Sequence, residues 1–490
     1  PHYISTNDFR IDLIKQGAED ITLETNGKLI DDNFGERGHL IQFNYYELMQ
    51  YKTDIKYRKE CLKKLYSCIK KHENEVFLAL NADFKKSEFE SVLTETNYVF
   101  SELKTTIRNI NSWSKPKKVW PSLLNFPSSD FIYSDPYGSV LIIAPWNYPF
   151  QLAICPLIGG VAAGNKVTLK PSELSPNTST VIAKIISEVF DKNHVEVIEG
   201  GVEVSEKLLA NRWDYIFFTG SVAVGKIIAK IAAENLTPVT LELGGKNPCI
   251  VDATADVKLT AKRIVWGKMI NAGQTCVAPD YLLVHHKIKE QLVQYLKKEI
   301  QNAYGENPEM SNDFARIINH KNWLRQISLL ENQKLLYGGQ INENTLYVAP
   351  TLIDEPNFDS KLMQEEIFGP LLPIISYHSL SEIKSCVSKF EKPLSFYLFS
   401  KDKKFIEDTL INYSFGGGCI NDTMIHLVNQ RLPFGGVGHS GIGAYHGKSS
   451  FDTFSHKKSI VVKANWLDIP LRYPPYNNKL ELIKKIVNWF

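Results

Sequence analysis

Cys276 sits in Asn271-Ala272-Gly273-Gln274-Thr275-Cys276-Val277, a polar, glycine-containing turn just past a helical stretch. A reactive thiolate needs partial exposure and backbone donors, and such a turn can supply both. A buried structural cysteine is the commoner reading of any single cysteine, and it is the one given to the other six. Glu242 lies between Leu241 and Leu243, immediately before Gly244-Gly245-Lys246. Burial beside leucines should raise its pKa towards a value useful to a general base, with a solvated glutamate at a strand end as the equal alternative. Asn147, in Pro145-Trp146-Asn147-Tyr148-Pro149, holds an amide in a rigid turn. There it could donate to an oxyanion or, more commonly, satisfy the turn's own backbone. None of the three decides the matter singly.

A fourth feature could hold a phosphate. Phe217-Phe218-Thr219-Gly220-Ser221 follows a strand-like run and opens onto a helical stretch containing Gly225 and Lys226. The spacing matches a P-loop until its last position, where the Ser or Thr that would hold magnesium is replaced by Ile227. Triphosphate hydrolysis is therefore disfavoured, and the usual G-x-G-x-x-G dinucleotide fingerprint is missing too. What remains is a strand, a glycine turn and a helix N-terminus, where free amides and the helix dipole can receive a pyrophosphate. A plain strand-to-helix turn carries equal weight.

The elements that must position these groups follow from apolar patterning. Leu62, Leu65, Cys68 and Ile69 recur at helical steps within a stretch from about 45 to 112 that reads as surface helices. Strand-like runs at 140–144, 166–170, 195–199 and 215–219 alternate with helices such as 178–190, which argues for a parallel sheet. Runs at 249–252 and 281–285, with helices near 257–271 and 287–304, predict a second α/β domain. No charge interrupts the chain between Asp135 and Lys166, but Pro145, Pro149 and Pro156 would break a spanning helix, so buried strand, loop and helix is the better reading.

A chain of 490 residues leads us to expect two or three domains. Its net charge of 56 − 54 = +2 leaves no electrostatic footprint for nucleic acid. Seven scattered cysteines without CxxC spacing suggest neither disulfides nor a metal site and make a reducing cytoplasm the expected location. Residues 1–38 carry Asp8, Arg10, Asp12 and Lys15 and lack the apolar core of a secretory signal. At the other end, residues 479–490 read as an amphipathic helix with Leu480, Ile483, Ile486, Val487 and Phe490 on one side. Packing on the chain's own body or on a partner subunit is the first expectation for it, and weak membrane-surface contact the second.

Taken together, Pro145-Trp146-Asn147, Lys170-Pro171-Ser172-Glu173, Phe218-Thr219-Gly220-Ser221, Glu242-Leu243-Gly244-Gly245-Lys246, Gly273-Gln274-Thr275-Cys276 and Glu365-Glu366-Ile367-Phe368-Gly369-Pro370 occur in an order that resembles the aldehyde dehydrogenases. The late runs Leu432-Pro433-Phe434-Gly435-Gly436-Val437-Gly438, Tyr445-His446-Gly447-Lys448 and Ser450-Phe451-Asp452-Thr453-Phe454 are similar to the class 3 branch of fatty and aromatic aldehyde dehydrogenases. The likeness spans about residue 45 to about 475, and residues 1–38 stand outside it.

That resemblance implies an α/β protein in three parts: a Rossmann-like cofactor domain over 39–241, a catalytic domain over 242–430, and a small β extension for oligomerisation. Segments 131–137 and 457–463 would build the extension, the latter within a C-terminal segment 431–490 that also holds an active-site loop and the amphipathic tail. It implies Cys276 as nucleophile, Asn147 and the Cys276 amide as oxyanion donors, and Glu242 as the base that hydrolyses a thioester. Lys170 and Glu173 would contact the adenosine ribose, Gly220 and Ser221 the pyrophosphate, and Glu366 and Phe368 the nicotinamide end. Trp146, Leu243 and Gly225 would shape that pocket, with Tyr148 and Phe434 near the mouth of the substrate site.

The implied cofactor is NAD or NADP, with NAD favoured because Glu173 would repel a 2′-phosphate; no metal is expected. The implied substrate is an apolar aldehyde, medium- or long-chain aliphatic, aromatic or carotenoid-type, and the implied assembly a homodimer. A coenzyme A-dependent acylating enzyme would be expected to lack Glu242, and a non-catalytic nucleotide-binding protein to lose Cys276, Glu242 or Asn147. All three residues are present.

Overall fold

The computed structural model describes residues 54–122, 125–477 and 479–488. Residues 1–38, and the part of the predicted helical stretch before 54, lie outside the described residues. Two mixed sheets form the body, and a third, small sheet projects as an arm.

The first sheet has six strands in the order Gly441–Ile442, Val239–Glu242, Tyr215–Thr219, Ser139–Ile143, Lys166–Lys170, Val195–Val197. All neighbours run parallel except Gly441–Ile442, which pairs antiparallel with the end of Val239–Glu242. Its middle strand is buried along its whole length, as expected of a parallel sheet covered on both faces. Alternation along the strand divides its side chains: Val140 and Ile142 enter a core shared with the outer helices Ile55–Lys71 and Asn97–Trp113, while Leu141 and Ile143 pack on the opposite face. The uncharged stretch resolves into this strand, a loop, and the helix Pro149–Ala163. That helix starts with proline in its first turn and stops at Gly164, which adopts the left-handed conformation at φ 95°. Among the described residues no helix is long and apolar enough to cross a membrane.

The second sheet has seven strands, in the order Leu335–Tyr337, Thr351–Asp354, Leu371–Tyr377, Tyr281–His285, Pro248–Val251, Ser395–Phe399, Gly417–Ile420. It too is covered on both faces, by Val257–Met269 and Lys289–Tyr304 on one side and by Leu380–Val387 and Lys403–Asn412 on the other.

In the arm, Ser128–Pro136 pairs with Ser455–Lys463 over nine registered residue pairs, and Lys117–Val119 adds to its other edge. The strands read at 131–137 and 457–463 thus meet each other, each beginning two or three residues earlier than the sequence suggested.

Most boundaries shift by a residue or two, as at Ser139–Ile143, read at 140–144, and Pro248–Val251, read at 249–252. The strand read at 195–199 ends at Val197. The helix read to residue 271 ends at Met269, because Asn271 and Ala272 turn left-handed at φ 53° and 51°. Within the segment 431–490, Gly441–Ile442 returns to the first sheet and helix Lys448–Thr453 packs on Pro149–Ala163.

Candidate active site

A cleft of about 560 Å³ separates the two sheets. The first sheet faces it with strand carboxyl ends, and the second with the loops that enter its strands. Between Ser139–Ile143 and Tyr215–Thr219 the chain order of the first sheet reverses, the place where open α/β sheets hold ligands. The loops after those two strands line the cleft through Trp146, Asn147, Gly220 and Ser221.

Ser221 caps the helix Val222–Glu234 by accepting from the Val224 amide, leaving Val222 and Ala223 at the helix N-terminus on the cleft wall. Gly225 does not reach the cleft lining. It lets the helix approach the sheet, since a Cβ there would stand 2.6 Å from the Leu243 side chain.

Glu242 ends its strand inside the cleft, 3 % exposed, so the solvated alternative is excluded. Its main chain is fixed on both sides: the Gly220 amide donates to its carbonyl, and the Leu243 amide donates to Ser440. Among the described residues neither carboxyl oxygen has a hydrogen-bond partner, and burial pushes its pKa well above the ordinary value.

The cysteine loop is held from several directions. Asn271, Ala272 and Gly273 are successively left-handed, and a Cβ on Gly273 would collide with the Gly369 carbonyl at 2.2 Å. The Asn271 amide donates to buried Glu90 at 2.5 Å. Gln274 bridges to Arg316 O and to the Ile318 amide, at 2.9 and 3.0 Å. Asn247 donates to the carbonyls of Cys276 and Ala278, and the Tyr397 hydroxyl to Val277 O. Cys276 emerges half-buried, with its own amide and that of Val277 directed at its sulfur. Burial, followed by the negative charges of Glu366 and Glu242, pushes its thiol up to about 12.

The Asn147 side-chain amide donates to Gln274 O at 3.2 Å, on the cysteine loop and not on its own turn. Asn271 Nδ2 returns a bond to Asn147 O at 2.7 Å, so the two loops lock together.

Glu366 lies against Gly244, where any Cβ would meet its carboxylate at 2.1 Å. Burial first, then Asp280, raises its pKa to about 8. Phe368, left-handed at φ 49°, meets Trp146 edge-on with ring centroids 5.3 Å apart. Both line the cleft with Leu243 and Glu366.

Lys170 and Glu173 pair at 2.5 Å beyond the carboxyl end of Lys166–Lys170, one strand from Trp146, and neither lines the cleft itself. Tyr148 and Phe434 are not at a mouth: they are 6 % and 8 % exposed. They line an apolar cavity of about 120 Å³ that ends at Cys276, and the Tyr148 hydroxyl is engaged with Thr275 at 2.6 Å. Leu93, Ile425 and Val428, all exposed apolar residues, line the same cavity nearer solvent.

Sequence reasoning missed Arg325 and Tyr445. Arg325 holds the Glu366 loop by donating to the carbonyls of Glu366 and Ile367. It carried no signal, being a single basic residue on an ordinary amphipathic helix. Tyr445 was inside a quoted motif, and its pairing with Phe434 across the cleft floor could be seen only in three dimensions.

A nucleotide-type sheet facing a half-buried cysteine and an unpartnered carboxyl defines a thiol-dependent oxidoreductase. The chain belongs to the aldehyde dehydrogenase family, which it matches over residues 49–460. Over 437 residues it is 49 % identical to 4,4'-diaponeurosporen-aldehyde dehydrogenase of Staphylococcus aureus, covering 89 % of this chain and 95 % of that one. The dimeric NADP-preferring aldehyde dehydrogenase of dog is 44 % identical over 86 % of this chain and 93 % of its own. Among solved structures, a substrate-bound state of Staphylococcus aureus AldH superposes with a TM-score of 0.89 at 48 % identity, covering 90 % and 97 % of the two chains.

Proposed function

We propose that this protein oxidises an apolar aldehyde to its carboxylic acid with NAD or NADP. The single observation that carries this reading is the junction at Cys276, where an apolar cavity from one side meets a nucleotide-type cleft containing the unpartnered Glu242 from the other. The substrate range fits the cavity's lining: medium- or long-chain aliphatic, aromatic or carotenoid-type chains would lie along Tyr148, Phe434 and Leu93.

The cleft fits a dinucleotide. Its pyrophosphate would meet the free N-terminus of Val222–Glu234 at Gly220 and Ser221, its ribose Lys170 and Glu173, and its nicotinamide end Glu366 and Phe368, with Trp146 and Leu243 as walls. Bound there, the cofactor supplies a hydride acceptor. Cys276 would add its sulfur to the aldehyde carbon, and the thiohemiacetal oxyanion would take hydrogen bonds from Asn147 Nδ2 and the Cys276 amide. After oxidation the thioester must be hydrolysed, and Glu242, raised in pKa and free of partners, would take the proton of the attacking water. A thiol at about 12 is largely protonated near neutrality, so its proton must leave before attack.

Assembly as a homodimer and work in the cytoplasm complete the proposal. In the arm, Ser455–Lys463 has no strand on its outer edge among the described residues and exposes Ile460, Val461 and Val462, a surface suited to strand pairing with a second copy. All seven cysteines are free, which suits a reducing compartment. Helix Leu480–Val487 exposes Leu480, Leu482 and Ile483 beside Lys484 and Lys485, and a weak membrane-surface contact through it is a secondary part of the reading.

The test is reduced-cofactor absorbance from purified protein with NAD or NADP across aldehydes of increasing chain length, with Cys276→Ala as control. Cysteine-dependent signal that strengthens with chain length supports the proposal. Silence across the panel from folded protein would overturn it.

A further inference from the structure

Away from the cleft, the carboxyl end of helix Ile55–Lys71 meets helix Pro176–Val189. Cys68 and His72 are four residues apart, one helical turn, and so share a face. Glu188 reaches the same face from the second helix. One donor atom from each of Cys68, His72 and Glu188 lies within 4.8 Å of the others. His72 Nε2 stands 3.0 Å from Glu188 Oε1, and Cys68 Sγ stands 3.7 Å from Glu188 Oε2.

One tetrahedral ion with ligands at about 2.0 Å (N, O) and 2.3 Å (S) sets them roughly 3.3–3.6 Å apart, a spacing that small side-chain rotations reach from donors already within 4.8 Å. We infer that Cys68, His72 and Glu188 form a binding site for a divalent transition metal of the zinc type, with a fourth position open to water.

One observation besides proximity supports this. The His72 side chain is only 5 % exposed, and its Nε2 is held towards the cluster by an ion pair with Glu188 Oε1, a contact the metal would replace. The other ring nitrogen, Nδ1, lies 2.7 Å from Glu75 Oε1, the carboxylate–histidine–metal relay that fixes tautomer and ring orientation in metal sites.

Competition comes from Lys71, which pairs with Glu188 at 2.9 Å, and from Lys184, which pairs with Glu75. Both lysines are well exposed, so these pairs are weak and both ammonium groups can swing into water. Binding would release the Cys68 thiol proton, because the thiolate is the ligand. The ion would pin the outer helix to the one that follows Lys170 and Glu173.

The experiment uses the full chain in a Cys276→Ala background, which removes the active-site thiol as a competing ligand. Equilibrium dialysis with Zn²⁺ alone should show one equivalent lost on Cys68→Ser or His72→Gln. With Co²⁺ alone, a thiolate charge-transfer band in the near ultraviolet should appear and vanish with Cys68→Ser. Glu75→Gln should weaken binding on the order of tenfold to a hundredfold. Because Cys68 and His72 are buried, Glu188→Gln at a partly exposed position serves as the fold-neutral check and should also weaken binding. Zinc stoichiometry and cobalt spectrum unaltered by Cys68→Ser and Glu188→Gln would overturn the inference, whether the ion sits elsewhere or binds nowhere.

Discussion

The two sheets meet the cleft in opposite directions. The first offers strand carboxyl ends, a helix N-terminus and one buried acid, and its groups are fixed by the sheet's own hydrogen bonding, as when Gly220 donates to the Glu242 carbonyl. The second offers the loops that lead into its strands: the cysteine loop before Tyr281–His285, the Glu366 loop before Leu371–Tyr377, and Leu394 before Ser395–Phe399. Those loops have no ladder to hold them, so they depend on side-chain clamps from Gln274, Asn247, Arg325 and Glu90 and on left-handed backbone. The lesson is a division of labour. Receiving a cofactor needs fixed dipoles, which strand and helix ends provide, whereas a nucleophile must project into the space where the reaction occurs, which a braced loop does better.

The division can be broken at its largest effect by Cys276→Ala, which should lower turnover by at least about 10⁴-fold in steady-state assays, the scale of losing a nucleophile. Residual activity within tenfold of the parent would place the chemistry elsewhere. Next, Asn147→Ala removes a donor supplied by the first sheet. It should lower kcat by roughly 10²–10³-fold with substrate binding little changed.

Gly273→Ala tests the bracing itself. With φ at +73° and the Gly369 carbonyl in the way, it should lower folding stability by about 1–3 kcal/mol in denaturant melts and slow alkylation of Cys276. An unchanged variant would mean the loop is not held as described.

Glu366→Gln sharpens the contrast through pH. Glu366 ionises at about 8, and its negative charge helps to hold the Cys276 thiol up. Neutralising it should speed alkylation by iodoacetamide above pH 8, where the parent carries the charge, and change little below. Stability has the same origin at Glu90, raised from 4.5 to about 7 mainly by burial. Its contribution is full below about 4.5 and is lost as pH rises through about 7, so Glu90→Gln should flatten the pH dependence of unfolding across that window. The smallest effect is expected at Glu173→Gln, a few-fold gain in kcat/KM for NADP relative to NAD.

The same division explains what could be read from sequence. Strands at 166–170, 215–219 and 281–285 were legible to the residue because each is a short run built around buried apolar residues, as Val167 and Leu169, Ile216 to Phe218, and Leu282 to Val284 are. The glycine turn announced its helix by spacing alone. The loop that breaks Val257–Met269 was not legible, because nothing local marks Asn271 and Ala272 as left-handed; only the tertiary clamps on the loop require it. Tyr148 was read at a mouth and is buried instead, since position in a motif says nothing about depth. Its burial follows from packing against Lys86, whose ammonium lies 4.5 Å from the ring. The Cys68–His72–Glu188 cluster was invisible because Glu188 comes from a helix more than a hundred residues away.

In the proposed mechanism the nucleophile Cys276 comes from the second sheet's loops and the base Glu242 from the first sheet, so acylation and hydrolysis should be separable. The most direct measurement is stopped-flow formation of reduced cofactor by Glu242→Gln. A rapid burst approaching one equivalent per Cys276, followed by a turnover far slower than the parent's, is the predicted result. Loss of the burst, with hydride transfer itself slowed, would contradict it.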